Sequence, residues 1–143
     1  MVKQKDIPSP AKKRELLLQA LYQKEISGVS NTEVLKQLKE RNKKYDLSDL
    51  NLILKGIKQN KQTIDKMIEQ NSKLELKDIG EIELSILRSM LFEMQQKTVD
   101  RSISLSEAIR PATKYGQDSR DKRSNAILDK FEHYISSFRT IAP

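Results

Sequence analysis

Residues 79–94 read IGEIELSILRSMLFEM. Ile79, Ile82, Ile86, Leu87, Met90, Leu91 and Met94 recur at three- and four-residue steps, the spacing that returns side chains to one side of an α-helix. A half-buried strand would alternate every second residue instead. This stretch is the strongest core helix in the chain, and it sets the class: all-α.

The same step recurs on both sides of it. Over 48–70, Leu50, Ile53, Leu54, Ile57, Ile64, Met67 and Ile68 follow one stripe and predict a single long helix. Lys55, Lys58, Lys61 and Lys66 fall mostly off that stripe, on a solvated face. Ser30 with Glu33 fits a capping box ahead of a short helix marked by Leu35 and Leu38. The first helix starts at Ser9 with Pro10 at its first position, where a missing N–H costs nothing. Leu17, Leu18 and Leu21, with Tyr22 at the margin, form its buried stripe, and Gly28 lies just past its end. After 79–94, residues 98–102 read as a loop. Ser104 and Glu107 form a second capping box, Pro111 should kink or end the helix that follows, and Gly116 reads as a stop. A last helix over 119–137 would bury Ile127, Leu128, Phe131, Ile135 and Phe138. Short connections of this kind fit a compact bundle.

The chain has 143 residues, enough for one domain. Residues 1–9 read as a flexible tail and 10–143 as that domain. Leu, Ile, Val and Phe supply 38 of the 143 positions, above the roughly 20% below which a charged chain stays unfolded. There is no cysteine, which excludes disulfides and thiolate chemistry. No apolar run approaches the roughly 20 residues of a membrane span, and MVKQKDIPSP contains no signal-peptide core. The reading is a cytoplasmic protein that makes no membrane contact. Net charge is +7. Residues 1–71 hold 15 basic and 9 acidic side chains, and 72–143 hold 12 and 11. The excess in the first half favours a polyanionic partner.

Catalytic constellations are missing. The single histidine, His133, has no second histidine to complete a helical zinc pair. Glu81 and Glu83, two apart on a helix, point to different faces and do not act together. The four glycines are isolated, so no phosphate loop exists. The expectation is no enzyme, no cofactor and no metal. Three cationic clusters stand out: Lys12-Lys13-Arg14, the run 39–44 (KERNKK), and Arg120, Lys122 and Arg123. The first and last fall at helix starts, where the helix dipole prefers acids. Free amides at such a start would join the cations in meeting a phosphate.

Taken in order, these segments resemble the NusB family. AKKRELLLQALYQKEISG (11–28) resembles its opening helix. Leu54-Lys55-Gly56-Ile57 followed by Thr63-Ile64-Asp65-Lys66-Met67-Ile68 resembles its third. Ile82 through Arg88 and on to Met94 resembles the next. Ser106-Glu107-Ala108-Ile109 through Gly116 is similar to a later segment, and Asn125-Ala126-Ile127-Leu128-Asp129 to the closing motif. The resemblance covers roughly 11–131.

It implies about seven helices in two packed subdomains. It also implies an antitermination factor that binds boxA-type single-stranded RNA. Its protein partner would be a ribosomal small-subunit protein that doubles as the elongation factor NusE. Together they would act on the RNA polymerase elongation complex, notably in ribosomal RNA operons. Some members are dimers and others monomers, so a homodimer is also within the family's range. By the resemblance, RNA contacts fall on Lys12, Lys13, Arg14, Tyr22, Ser119, Lys122 and Arg123, and the protein partner's contacts on Tyr22, Glu81 and Glu83. Residues 74–94 hold five acids against Lys77 and Arg88, a patch suited to a basic ribosomal protein. The chain departs from the family pattern at Ser106, Arg110-Pro111, Arg123 and Ala126. Arg123 stands where an aromatic is usual, so base stacking would become guanidinium stacking or a phosphate contact. The alternative is a protein–protein or homodimeric scaffold whose RNA face has decayed.

Overall fold

A computed structural model describes residues 4–71 and 75–118, with side chains described as far as residue 111. The chain divides into two compact units, Met1–Asn60 and Lys61–Pro143. The described residues form six α-helices and one short 3-10 turn, so the all-α class holds. The expected helix over 119–137 and His133 lie outside the described residues.

In the first unit, helix α1 (Pro10–Ser27) begins where its sequence says it should. Ser9 is extended, and its hydroxyl accepts the Lys12 amide at 3.1 Å with Pro10 behind it. Gly28 ends the helix at φ 67°, a left-handed conformation natural to glycine, and donates its N–H to Lys24 O. In α2 (Asn31–Arg41), the Ser30 hydroxyl accepts the Glu33 amide at 3.1 Å, which is half of the expected capping box. The Glu33 carboxylate is drawn away by Gln37, whose Nε2 donates to it at 3.2 Å. α3 spans Ser48–Gln59.

The single helix expected over 48–70 is two, α3 and α4 (Lys61–Gln70). Asn60 makes the break. Its backbone N–H and its side-chain amide both donate to Gly56 O, at 3.0 and 2.8 Å. A side chain that competes for backbone partners in this way closes a helix end.

α1 packs against both α2 and α3, and α2 against α3. Leu16, Ala20, Val34, Leu38, Leu50 and Leu54 are buried at the centre. Two partners require α1 to be apolar on more than one side, hence three consecutive buried leucines, Leu16, Leu17 and Leu18. Ahead of α1, Asp6 N–H donates to Lys44 O and Asp46 N–H to Asp6 O, both at 2.7 Å. Pro8 is buried.

In the second unit, α5 (Glu81–Gln96) packs against α4 and against α6 (Arg101–Asp118). Leu76–Asp78 forms the 3-10 turn before it. Of the expected stripe, Ile86, Leu87, Met90 and Leu91 are buried, while Ile79, Ile82 and Met94 are only half-buried. Two flanking helices bury a wider arc that also takes in Leu84, Ser85, Arg88 and Phe92. The Ser85 hydroxyl is satisfied by donating to Glu81 O at 2.7 Å.

α6 differs from expectation at three points. It starts at Arg101, with Asp100 O accepting from the amides of Ile103 and Ser104. Ser104 therefore caps nothing; it is buried, and its Oγ has no partner among the described residues. The helix then continues through Pro111 and Gly116 to Asp118. Leu105 and Ala108 are buried on a helix packed against α5, and such tertiary contacts override local breaker propensity.

Candidate nucleic-acid interface

The first turn of α1 carries no acid and opens into Lys12, Lys13 and Arg14. Few backbone amides remain there for a phosphate. Pro10 has none, Lys12 N–H is held by the Ser9 hydroxyl, and Lys13 N–H donates to Ser9 O at 2.8 Å. The expected amide contribution thus shrinks to Ala11, and phosphate attraction at this start rests on side chains.

Those side chains already have anionic company. Lys12 Nζ lies 3.5 Å from Glu15 Oε1, and Lys13 Nζ lies 3.3 Å from Asp49 Oδ2 in the first turn of α3. Arg14 is half-buried and also engaged. Exposed pairs of this kind are worth under about 1 kcal/mol and exchange readily for a polyanion. Successive helical residues turn by about 100°, so the triplet fans over roughly 200° of the α1 circumference. A strand meeting all three must wrap the end of the helix.

Tyr22 stands ten residues beyond Lys12, about 15 Å along the axis. It belongs not to the buried stripe but to an exposed one, formed by Glu15, Gln19, Tyr22 and Ile26. Tyr22 is 37% and Ile26 57% exposed. Ser119, Lys122 and Arg123 lie outside the described residues, as does Arg120.

Glu81 and Glu83 lie in the other unit, in the first turn of α5. Glu81 is exposed. The Glu83 carboxylate folds back over Gly80, so close that a Cβ at Gly80 would strike it. It complements the positive end of its own helix. In the acidic patch around them, Glu75 pairs with Lys77 at 3.2 Å, both well exposed. Arg88 does not dilute the patch, because its side chain is only 9% exposed and grips Asp65 of α4 through Nε at 2.9 Å and Nη2 at 3.1 Å.

Two features of charge escape the sequence reading. One is that ion pair. The other is Asp46, which accepts the Ser48 N–H at 3.0 Å and the Ser48 hydroxyl. These bonds, helped by the charges of Lys5 and Lys39, hold its carboxyl below the ordinary 3.8. The Asp46-x-Ser48 spacing ahead of an apolar run is the signal that could have found it. Among the described residues no group of three or more His, Cys, Asp or Glu could hold a metal ion. No described helix is long and apolar enough to cross a membrane.

Fold and site together define a class: small all-α proteins of two helical units whose chemically distinctive surface is a cationic helix start. Comparison with known proteins narrows it. The model of the NusB family matches residues 11–133. A Clostridium novyi (strain NT) protein, named transcription antitermination protein NusB, is 34% identical over 123 residues, covering 82% of this chain and 92% of its own. A protein of the same name from Colwellia psychrerythraea is 34% identical over 127 residues, covering 86% and 92%. One from Clostridium botulinum (strain Kyoto / Type A2) is 31% identical over 137 residues, covering 83% and 96%. Among solved structures, T. maritima NusB superposes with a TM-score of 0.75 at 22% identity, covering 96% of each chain. The chain belongs to the NusB family.

Proposed function

We propose that this chain is a non-enzymatic transcription antitermination factor. It binds boxA-type single-stranded RNA together with a ribosomal small-subunit protein acting as NusE, and it promotes read-through by RNA polymerase, notably of ribosomal RNA operons. The observation that carries this reading is the family match over 11–133, which takes in the basic triplet of α1 and positions 119, 122 and 123. Lys12, Lys13 and Arg14 would neutralise phosphates. Lysine does so as a point charge, without the planar fork of arginine. Tyr22, Ser119, Lys122 and Arg123 would complete the RNA face, since unpaired strands expose base faces for stacking. Tyr22, Glu81 and Glu83 would meet the protein partner. The exposure of Tyr22, Ile26 and Glu81 supports that role.

The test is RNA binding measured across salt, with and without the purified ribosomal protein. With about four phosphates neutralised, log affinity falls against log salt at a slope near −3. Reversing the charge at Lys12, Lys13 and Arg14 should weaken binding without lowering the melting temperature. A flat salt response, or equal affinity for boxA-like and scrambled RNA, overturns the reading. One observation favours the scaffold alternative: the ammonium groups of Lys12 and Lys13 already pair with Glu15 and Asp49. Light scattering that finds a stable dimer, alongside no RNA shift, would establish it.

A further inference from the structure

The cationic run 39–44 is not absorbed by the interface at α1. Lys39 and Arg41 lie in the last turn of α2, and Lys43 and Lys44 in the loop that leads to α3. All four are exposed, as is Lys5 in the N-terminal segment. No ion pair among the described residues holds Lys5, Lys39, Lys43 or Lys44, in contrast to Lys12 and Lys13. The Lys44 ammonium lies 4.9 Å from the centroid of the Tyr45 ring, and Arg41 donates to Gln23 Oε1 at 3.2 Å. The nearby acids are Asp6, Glu40 and Asp46. Asp46 accepts from Ser48 at the start of α3 and also feels the charges of Lys5 and Lys39, without a direct ion pair to either.

Two ties within the first unit bring this loop beside the start of α1. Asp6 is bonded through its backbone to Lys44 and Asp46. Ser9, which caps α1, follows three residues later, and three extended residues span at most about 11 Å. Independently, Lys13 of α1 pairs with Asp49, three residues after Asp46. The loop that carries Lys43 and Lys44 therefore lies close to the start of α1, in the same unit as the triplet.

We propose that Lys5, Lys39, Lys43 and Lys44, on the α2–α3 loop and the N-terminal segment annealed to it, form a second phosphate-contact surface that carries the flank of the RNA strand held at α1. This rests on the RNA-binding reading above and extends it from one contact point to a track. Spaced, flexible ammonium groups suit the repeating phosphates of a single strand. They do not suit a protein interface, whose core is depleted in lysine. The contact is sequence-independent, because phosphates carry no base information.

The experiment compares a short boxA-like RNA with the same RNA extended by oligouridine at either end. It uses the full chain and a Lys39→Ala, Lys43→Ala, Lys44→Ala variant. The control variant, Lys55→Ala, Lys58→Ala, Lys66→Ala, removes the same charge from exposed positions elsewhere. Melting curves verify that all three proteins fold. The full chain and the control should bind extended RNA about tenfold more tightly than short RNA at low salt. The loop variant should lose that gain, with a salt slope flatter by about 2, while its affinity for short RNA is unchanged. If the loop variant keeps the gain, or the control loses it too, the track is refuted while the α1 interface stands. If the full chain binds short RNA but gains nothing from extension at either end, the track again fails alone. If the full chain binds neither RNA, the antitermination reading fails and the track falls with it.

Discussion

Arg88 interrupts the most apolar run in the chain, and its burial makes it a structural residue. A guanidinium taken out of water needs full compensation, and Asp65 supplies a two-point grip with side chains 9% and 16% exposed. Removing Asp65 takes away the carboxylate that Arg88 grips at two points. Asp65→Ala should therefore cost about 3 kcal/mol in denaturant unfolding, whereas the double change Asp65→Leu with Arg88→Met should restore most of that loss. Equal losses for the single and double variants would show instead that the pair itself supplies the stability, and that an uncompensated charge is not what costs it. Asp46 makes a contrasting case at the surface. Its carboxyl ionises more readily folded than unfolded, so its contribution is complete above the ordinary value of 3.8 and is lost as pH falls through the lower folded value. Asp46→Asn, which mimics the protonated acid, should be the less stable protein at neutral pH. The gap should close below pH 3.8, as read by thermal melts across the acid range.

At the scale of the element, helix ends separate into those legible in the sequence and those that are not. The caps at Ser9, Gly28 and Ser30 are legible because capping is local chemistry between residues three or four apart. The break at Asn60 is hidden because the apolar stripe keeps its register across it, and one asparagine outweighs the pattern. Arg88 is misjudged as a surface base because its partner lies 23 residues away in sequence. At α6 the error runs the other way: Pro111 and Gly116 are strong local breakers, but the helix passes through both. The proline still removes one backbone hydrogen bond. Pro111→Ala should raise stability by about 2 kcal/mol, measured by chemical denaturation. A loss instead would mean that the ring packs into a site alanine leaves empty. α5 ends on Lys97 at φ 56°, the one non-glycine with positive φ among the described residues. Lys97→Gly relieves that strain but loosens the unfolded chain, for a net gain of about 0.5 kcal/mol in the same assay.

Across the whole molecule, charge is distributed unevenly. The all-α class and the basic opening of α1 are legible from composition and period. The ion pair of Lys13 with Asp49 is not, since it depends on where α3 begins. Nor is the convergence of Lys5, Lys39 and Lys44, which depends on backbone bonds made by Asp6. The 15 basic and 9 acidic side chains of residues 1–71, against 12 and 11 beyond, would make the first half the main source of attraction for a polyanion. Such a field acts before contact, raising the association rate and fading within about 10 Å at 0.1 M salt. Neutralising Lys39, Lys43 and Lys44 should therefore slow association of the extended RNA severalfold at low salt, and the difference should vanish at high salt. Neutralising Lys77, Lys97 and Arg110, the same charge in the second half, should leave the association rate within about twofold. Stopped-flow association at two ionic strengths reads both. Equal slowing by the two sets would mean that net charge alone, wherever it lies on the chain, draws the strand in.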